Sequence, residues 1–176
     1  MSDNTKIIES VGEFLAHAIA MEDESAEHYE MLADSMETHN NNEVADVFRK
    51  LMQYSEKHAD EVHDLAAGMT LPDIAPWDYN WNCPDFPEGG DCSEMVNYLM
   101  TPRQALDIAM LNEIRGRDFY AWVAHGSPDA EVRRLAGEMA DEEQEHVDLL
   151  QAMLERAEFS SEPPLEDLDP PNMPEG

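Results

Sequence analysis

The segment Glu143-Gln144-Glu145-His146 places a carboxylate and an imidazole one helical turn apart. Apolar residues continue the stripe of Glu143 and His146 in both directions, at steps of three and four: Val132, Leu135, Met139, Leu150 and Met153. On a helix these positions share one face, which is expected to face a core. An ionised carboxylate is costly to bury unless it is paired. A metal ion meets that cost, and a Glu and a His at this spacing can hold the same cation.

Two segments in the first half of the chain have the periodicity of amphipathic helices. The first follows a capping box formed by Ser10 and Glu13, and it extends to about Glu37. The second starts near Glu43, and Gly68 is its expected stop.

Two further helices are predicted in the second half. Thr101-Pro102-Arg103-Gln104 is a strong helix start, with Thr as the cap and Pro at the first helical position. Gly126-Ser127-Pro128 ends this helix and starts the fourth, which is expected to run to about Glu158.

The helical pattern is interrupted between residues 69 and 100, where prolines and glycines predict a long crossover. Trp77, Tyr79 and Trp81 indicate that this segment packs onto the domain or onto a second copy of it, which leaves a homodimer open. Residues 160–176 are acidic and rich in proline, and we expect a disordered tail. Residues 1–159 are then one domain.

Composition narrows the function classes. Forty acidic residues against ten basic ones give a net charge of −30, which disfavours nucleic acid and anionic membranes and attracts cations. No apolar run could span a bilayer, and the first residues lack an export signal, so we expect a cytoplasmic protein. Cys83 and Cys92 lie nine positions apart, which favours two reduced thiols over a disulfide in that compartment.

The sequence repeats itself. Shifted by 91 residues, the first helix lies on the third, with Glu22 on Glu113. Shifted by 88 residues, the second lies on the fourth, with His58 on His146. Two helical hairpins joined by a long crossover predict an all-α four-helix bundle. Its inward-facing polar residues are Glu22, His58, Glu113, Glu143 and His146. So many ionisable groups on apolar stripes require cations.

These residues resemble the ferritin-like diiron-carboxylate proteins, and their rubrerythrin branch in particular. The matching text runs from Ala20-Met21-Glu22 to Tyr29, from Leu51 to His58, from Glu113 to Tyr120, and from Met139 to His146. The resemblance covers about residues 10–157. It implies a ferritin-like bundle with two irons, bound by one Glu from each of two helices and a Glu-x-x-His from each of the other two. Members of the family activate oxygen or peroxide with ferrous iron, or oxidise and store iron.

Five residues match the family's ligand positions: Glu22, His58, Glu113, Glu143 and His146. The resemblance implies that the glutamates of the first and third helices are terminal ligands, that the glutamate of the fourth bridges, and that each histidine binds one metal. The resemblance also implies that Tyr29 and Tyr120 lie beside the site, as hydrogen-bond donors or electron relays, with ordinary core tyrosines as the alternative. Two iron ions are expected, with zinc or a single metal as the alternative.

The sequence departs from the family's pattern at Ser55, where the second helix would carry its own bridging Glu. A hydroxyl is a poor iron ligand beside a carboxylate. Asp60 and His63 have the Glu-x-x-His spacing, but their stripe is polar. Glu61, one turn after His58, is the candidate substitute ligand. We therefore expect an asymmetric site, in which the metal held by Glu113, Glu143 and His146 is bound more firmly than the other.

The sequence supports two functions. The first is a rubrerythrin-like diiron oxidoreductase, a ferroxidase or a reductant of peroxide or oxygen. It would need a separate electron donor, because no pair of Cys-x-x-Cys motifs is present for a rubredoxin-like module. The alternative is a metal-stabilised bundle that binds a partner or handles iron without redox turnover. A third and blander interpretation pairs the buried acids with Arg115 or Arg117.

Overall fold

A computed structural model describes residues 7–75 and 101–156 of the protein. The described residues form four helices: α1 (Val11–Thr38), α2 (Asn42–Leu65), α3 (Pro102–Gly126) and α4 (Ala130–Arg156). Helix α1 packs along α2, and α3 packs along α4, so the architecture is two hairpins laid side by side. The prediction of an all-α bundle is confirmed. Within the described part of the chain, no helix has the length and apolar character required to span a bilayer.

Local signals fix where α3 and α4 begin. Thr101 and Gln104 form a complete capping box. The backbone N–H of Gln104 donates to the Thr101 hydroxyl at 3.2 Å, and the backbone N–H of Thr101 donates to the side-chain oxygen of Gln104 at 2.9 Å. These bonds satisfy two amides that the first helical turn leaves without partners. At α4 the cap is Asp129, whose carboxylate accepts from the amides of Glu131 at 2.8 Å and Val132 at 3.2 Å.

The first hairpin departs slightly from its predicted boundaries. Ser10 caps α1 by accepting from the Glu13 amide, but the Glu13 side chain accepts from Glu9 instead of Ser10, so half of the capping box is formed. Helix α2 ends at Leu65. Gly68 follows in the left-handed region with φ +80, a conformation that glycine adopts without steric cost.

Several predictions concern residues outside the described ranges. They are the course of the crossover beyond residue 75, the packing of Trp77, Tyr79 and Trp81, the state of Cys83 and Cys92, the end of the fourth helix at Glu158, and the tail at 160–176. The domain boundary at residue 159 also stays a prediction.

The apolar core consists of two clusters. One joins the N-terminal half of α1, the end of α2, the end of α3 and the start of α4, with Phe14, Leu15, Val62, Tyr120 and Val132 among its members. The other joins the opposite ends of the same helices, with Leu32, Phe48, Leu51, Leu106 and Leu150 among its members. Each helix passes from one cluster to the other near its middle. The residues at these crossing points are polar, and they form the site described next.

Candidate metal centre

A layer of buried polar side chains lies between the two apolar clusters. Its members are each no more than 9 % exposed: Glu22 on α1, Ser55 and His58 on α2, Glu113 on α3, and Glu143 and His146 on α4. All four helices contribute, so the layer crosses the whole bundle. The structure thereby brings into one layer the five residues that match the family's ligand positions.

The second hairpin holds the tightest part of this layer. The Nδ1 atom of His146 lies 3.0 Å from Oε2 of Glu113 and 3.4 Å from Oε2 of Glu143. These three side chains each offer one ligand atom within 4.8 Å of the other two, a separation at which a single cation can contact them all. Two carboxylates and one imidazole are a donor set that suits iron or zinc.

The first hairpin holds a looser counterpart. The Nδ1 atom of His58 lies 3.9 Å from Oε2 of Glu22. Ser55 is buried beside them and its hydroxyl hydrogen-bonds to Glu22. The rings of His58 and His146 stack with their centroids 5.6 Å apart, which joins the two halves of the site.

Two tyrosines tie the hairpins together across the layer. The hydroxyl of Tyr120 on α3 donates to Oε1 of Glu22 on α1 at 3.0 Å, and the hydroxyl of Tyr29 on α1 donates to Oε1 of Glu113 on α3. Burial raises the pKa of both phenols, and the neighbouring carboxylates raise it further. Both hydroxyls therefore stay protonated and keep donating to the carboxylates. Any role as electron relays stays a prediction.

In the absence of a cation, protons neutralise two of the three buried acids, Glu22 and Glu143. Burial raises the pKa of Glu22 to about 8, and burial together with the charge of Glu113 raises the pKa of Glu143. Burial alone would lower the pKa of His146, but hydrogen bonds to Glu113 and Glu143 raise it to about 10. Burial also opposes the charge of Glu113, yet hydrogen bonds from His146 and Glu143 hold its pKa below the usual value. Burial lowers the pKa of His58, which favours its neutral form.

This protonation pattern fits a site built for cations. Glu22, Glu143 and His146 retain protons at neutral pH that they would lose in water, because a buried negative charge requires a positive partner. Metal ligands must be deprotonated, so a divalent cation would replace these protons with its own charge. The tight geometry of Glu113, Glu143 and His146 supplies the donors.

The structure does not bring Glu61, the candidate substitute ligand, to this layer. Its side chain is 54 % exposed, and it pairs with Lys57 at 2.9 Å. A different carboxylate approaches His58, since Oε2 of Glu142 lies 3.4 Å from Nε2 of that ring. Metal binding by Glu61 therefore stays a prediction with no support from these contacts.

Two residues that sequence reasoning missed cover the imidazoles from outside. Tyr54 stacks on His146 with ring centroids 5.2 Å apart and an angle of 7° between the rings, while Glu142 contacts His58. Tyr54 and Glu142 are 88 positions apart in the sequence, so they are equivalent places in the two hairpins. Each covers the histidine of the other hairpin. The internal repeat could have identified these two positions as equivalent, but it did not single them out because their side-chain types differ.

Gly116 is a further residue that the sequence did not single out. It lies one turn after Glu113 on α3, and a Cβ atom there would come within 3.3 Å of the carboxyl carbon of Glu143. The missing side chain leaves the room that the Glu143 carboxylate fills. The available signal was a glycine inside a predicted helix, since that residue costs up to about 1 kcal/mol relative to alanine and often marks a close approach.

The rubrerythrin family model matches residues 13–154. Among solved structures, the chain is similar to the crystal structure of an uncharacterised conserved protein from Magnetospirillum magnetotacticum, with 44% identity and a TM-score of 0.72 over 84% of this chain and 95% of that one. No match is found among curated proteins.

We expect Gly116→Ala to weaken metal binding, because the new methyl group would displace the Glu143 carboxylate. Cobalt(II) titration of the purified protein measures the change, and a loss of about tenfold in affinity is expected, as for other changes next to metal ligands. Gly137→Ala on α4 is the matched control, since a Cβ there meets nothing within 4 Å. It should leave cobalt affinity unchanged and raise stability by up to about 1 kcal/mol. Equal cobalt affinity in both variants would contradict the role of Gly116.

We expect the metal-free protein to lose stability as pH rises above neutrality. Glu22 has a pKa of about 8 when folded against an ordinary 4.5, and His146 has about 10 against 6.5. Their protonation stabilises the folded state at low pH and is lost as pH rises through the folded values. The free energy of unfolding in urea with a chelator present should fall by on the order of 4 kcal/mol between pH 7 and pH 9.

The variant Glu22→Gln should reduce this fall, because it removes one of the groups whose extra proton is lost as the pH rises. Glu145→Gln is the matched control: Glu145 is exposed on α4, and its replacement should leave the pH profile as it is in the wild type. A wild-type stability that stays constant or rises from pH 7 to pH 9 would contradict the protonation pattern.

Proposed function

Because the chain belongs to the rubrerythrin family, we propose that it is a diiron oxidoreductase that acts on oxygen or peroxide. The observation that carries the proposal is the convergence of Glu113, Glu143 and His146 within 4.8 Å in the buried layer. Glu22 and His58 would hold the second iron at the looser end. When bound at these residues, two ferrous ions would supply the two electrons that, together with two protons, the reduction of one peroxide to two waters requires.

The protein's own residues supply negative charge for the metals, orient the ligand carboxylates and exclude bulk water from the site. The carboxylates of Glu22, Glu113 and Glu143 provide negative charge that a divalent or trivalent cation requires. Tyr29 and Tyr120 each donate to one of these carboxylates and so fix its orientation. The apolar clusters above and below the layer exclude bulk water, which strengthens each of these interactions.

Uptake of metal should release protons from the layer. Glu22 and Glu143 have raised pKa values because burial disfavours their charged forms, and His146 has a raised pKa because its hydrogen bonds to Glu113 and Glu143 outweigh the effect of burial. All three must give up their extra protons to act as ligands. The same groups would then be free to take up protons as the site is emptied.

The two halves of the site are unequal. The second half has two carboxylates and an imidazole in mutual contact, while the first offers Glu22, His58 and the neutral hydroxyl of Ser55. We propose that Ser55 stands where related proteins carry a bridging Glu, and that the second half binds iron more tightly. We propose that reducing equivalents come from a separate electron donor.

We expect an anaerobic titration of the wild type with ferrous iron to show two irons per chain, the first bound more tightly. Glu143→Ala should remove at least one of them, because it deletes a carboxylate of the tight group. Glu145→Ala changes an exposed glutamate on the same helix and should bind iron like the wild type. Adding oxygen or peroxide to the loaded wild type should then produce ferric absorbance. Absence of near-stoichiometric iron or zinc binding by the wild type would end this proposal.

A second candidate function is a metal-stabilised bundle without redox turnover, and Ser55 is the observation that favours it. The variant Ser55→Glu separates the two candidates, because it restores a carboxylate at the looser end. Turnover should stay unchanged if the natural site is built to react as it stands. A marked gain in oxidase activity would show instead that the natural site does not turn over, and it would favour the second candidate. Ser55→Gln, of similar size but without charge, is the matched control.

A further inference from the structure

A small cavity reaches the buried layer from the side on which α1 faces α3. Its volume is about 30 Å³, and six of the residues that line it are Ser25, Ser55, Asn112, Glu113, Arg115 and Glu143. A single water needs about 10–15 Å³ on the same measure, so the cavity has room for two or three non-hydrogen atoms. It ends at Ser55 of the first hairpin and at Glu113 and Glu143 of the second. A molecule inside it would contact both halves of the site.

Ser55 and Glu143 are equivalent places in the two hairpins, because they are 88 positions apart. The hydroxyl of Ser55 reaches Glu22 and occupies little of the space that a glutamate side chain would fill. The cavity therefore extends to Ser55. At the equivalent position the second hairpin carries the carboxylate of Glu143, whereas the first hairpin has no carboxylate there.

The charges of the layer do not balance when two divalent cations are bound. Three carboxylates, Glu22, Glu113 and Glu143, supply three negative charges, and both imidazoles are neutral when they act as ligands. Two divalent cations bring four positive charges. One positive charge is then left in the buried layer, and Glu142 beside His58 offsets little of it, because the Glu142 side chain is 50% exposed and its charge is screened by water. An uncompensated buried charge is unfavourable. A single added monoanion would remove that charge.

The mouth of the cavity does not repel such an anion. Arg115 and Glu24 both line it and their charges offset each other, while Asn112 and Ser25 add neutral polar groups. The attraction for an anion therefore comes from the cations beneath. The size of the cavity limits the anion to a few atoms.

We propose that, once two divalent cations are bound, this cavity takes a small monoanionic oxyanion of the size of formate. The anion supplies the negative charge and the oxygen donors that Ser55 lacks. This inference rests on the proposed two-metal site. The space that Ser55 leaves in the first hairpin would then be occupied by an external ligand.

Cobalt(II), which is not oxidised under these conditions, tests the inference without any measurement of turnover. The wild type is titrated with cobalt in a carboxylate-free, degassed buffer, with sodium formate or with sodium chloride at the same ionic strength. Formate should raise the affinity for the second cobalt by about tenfold, within the range usual for two ligands that bind cooperatively. By linkage, cobalt should raise the affinity for formate by the same factor, and formate alone should not shift the melting temperature of the metal-free protein.

Variants at residue 55 provide the controls. Ser55→Glu brings its own carboxylate, so it should bind the second cobalt more tightly in chloride and lose the response to formate. Ser55→Ala keeps the space without the hydroxyl and should keep the response. If two cobalt ions bind to the wild type and formate has no effect, the inference is wrong while the proposed metal site stands. If no cobalt binds, the proposed function and this inference both fail.

Discussion

The structure depends on one constraint: three carboxylates and two imidazoles are buried together in one layer of a helical bundle, and their charges must be balanced there. Outside such a layer, each helix has an ordinary apolar stripe that packs into one of two clusters. Inside it, like charges would repel at close range, and burial would make that repulsion more costly than in water. Protons meet this constraint in the metal-free protein, where Glu22 has a pKa of about 8 and His146 of about 10. Bound cations would offset the repulsion between the carboxylates more fully, and membership of the rubrerythrin family is consistent with a metal site here.

Much of the fold could be predicted from the sequence, because its strongest signals are local or repeated. The stripes of three- and four-residue spacing define four helices, and the caps at Thr101 and Ser10 mark two of their starts. The shifts of 91 and 88 residues show that the chain is two hairpins. The same repeat pointed to Glu22, Glu113 and the two histidines as a set, and the structure gathers them in one layer.

The rest depends on contacts between hairpins, and helix periodicity does not encode those. The choice of Glu61 rested on its position one turn after His58, but the rotation of α2 turns it outward to Lys57. Glu142 reaches His58 from another helix, and Tyr54 reaches His146 in the same way. The close approach of Gly116 to Glu143 also depends on the distance between α3 and α4. Such details follow from packing, which the order of residues along one helix does not reveal.

The near-symmetry of the two hairpins has a consequence for how the site came to be unequal. A dimer of two identical hairpins could form the same layer, but one codon would then specify both equivalent places, and the site would be symmetric by necessity. Covalent fusion of the halves releases that restriction. Ser55 can then differ from Glu143, and Tyr54 from Glu142, while the shared scaffold is kept. Two hairpins within one chain thus allow each half of the centre to carry different residues at equivalent positions.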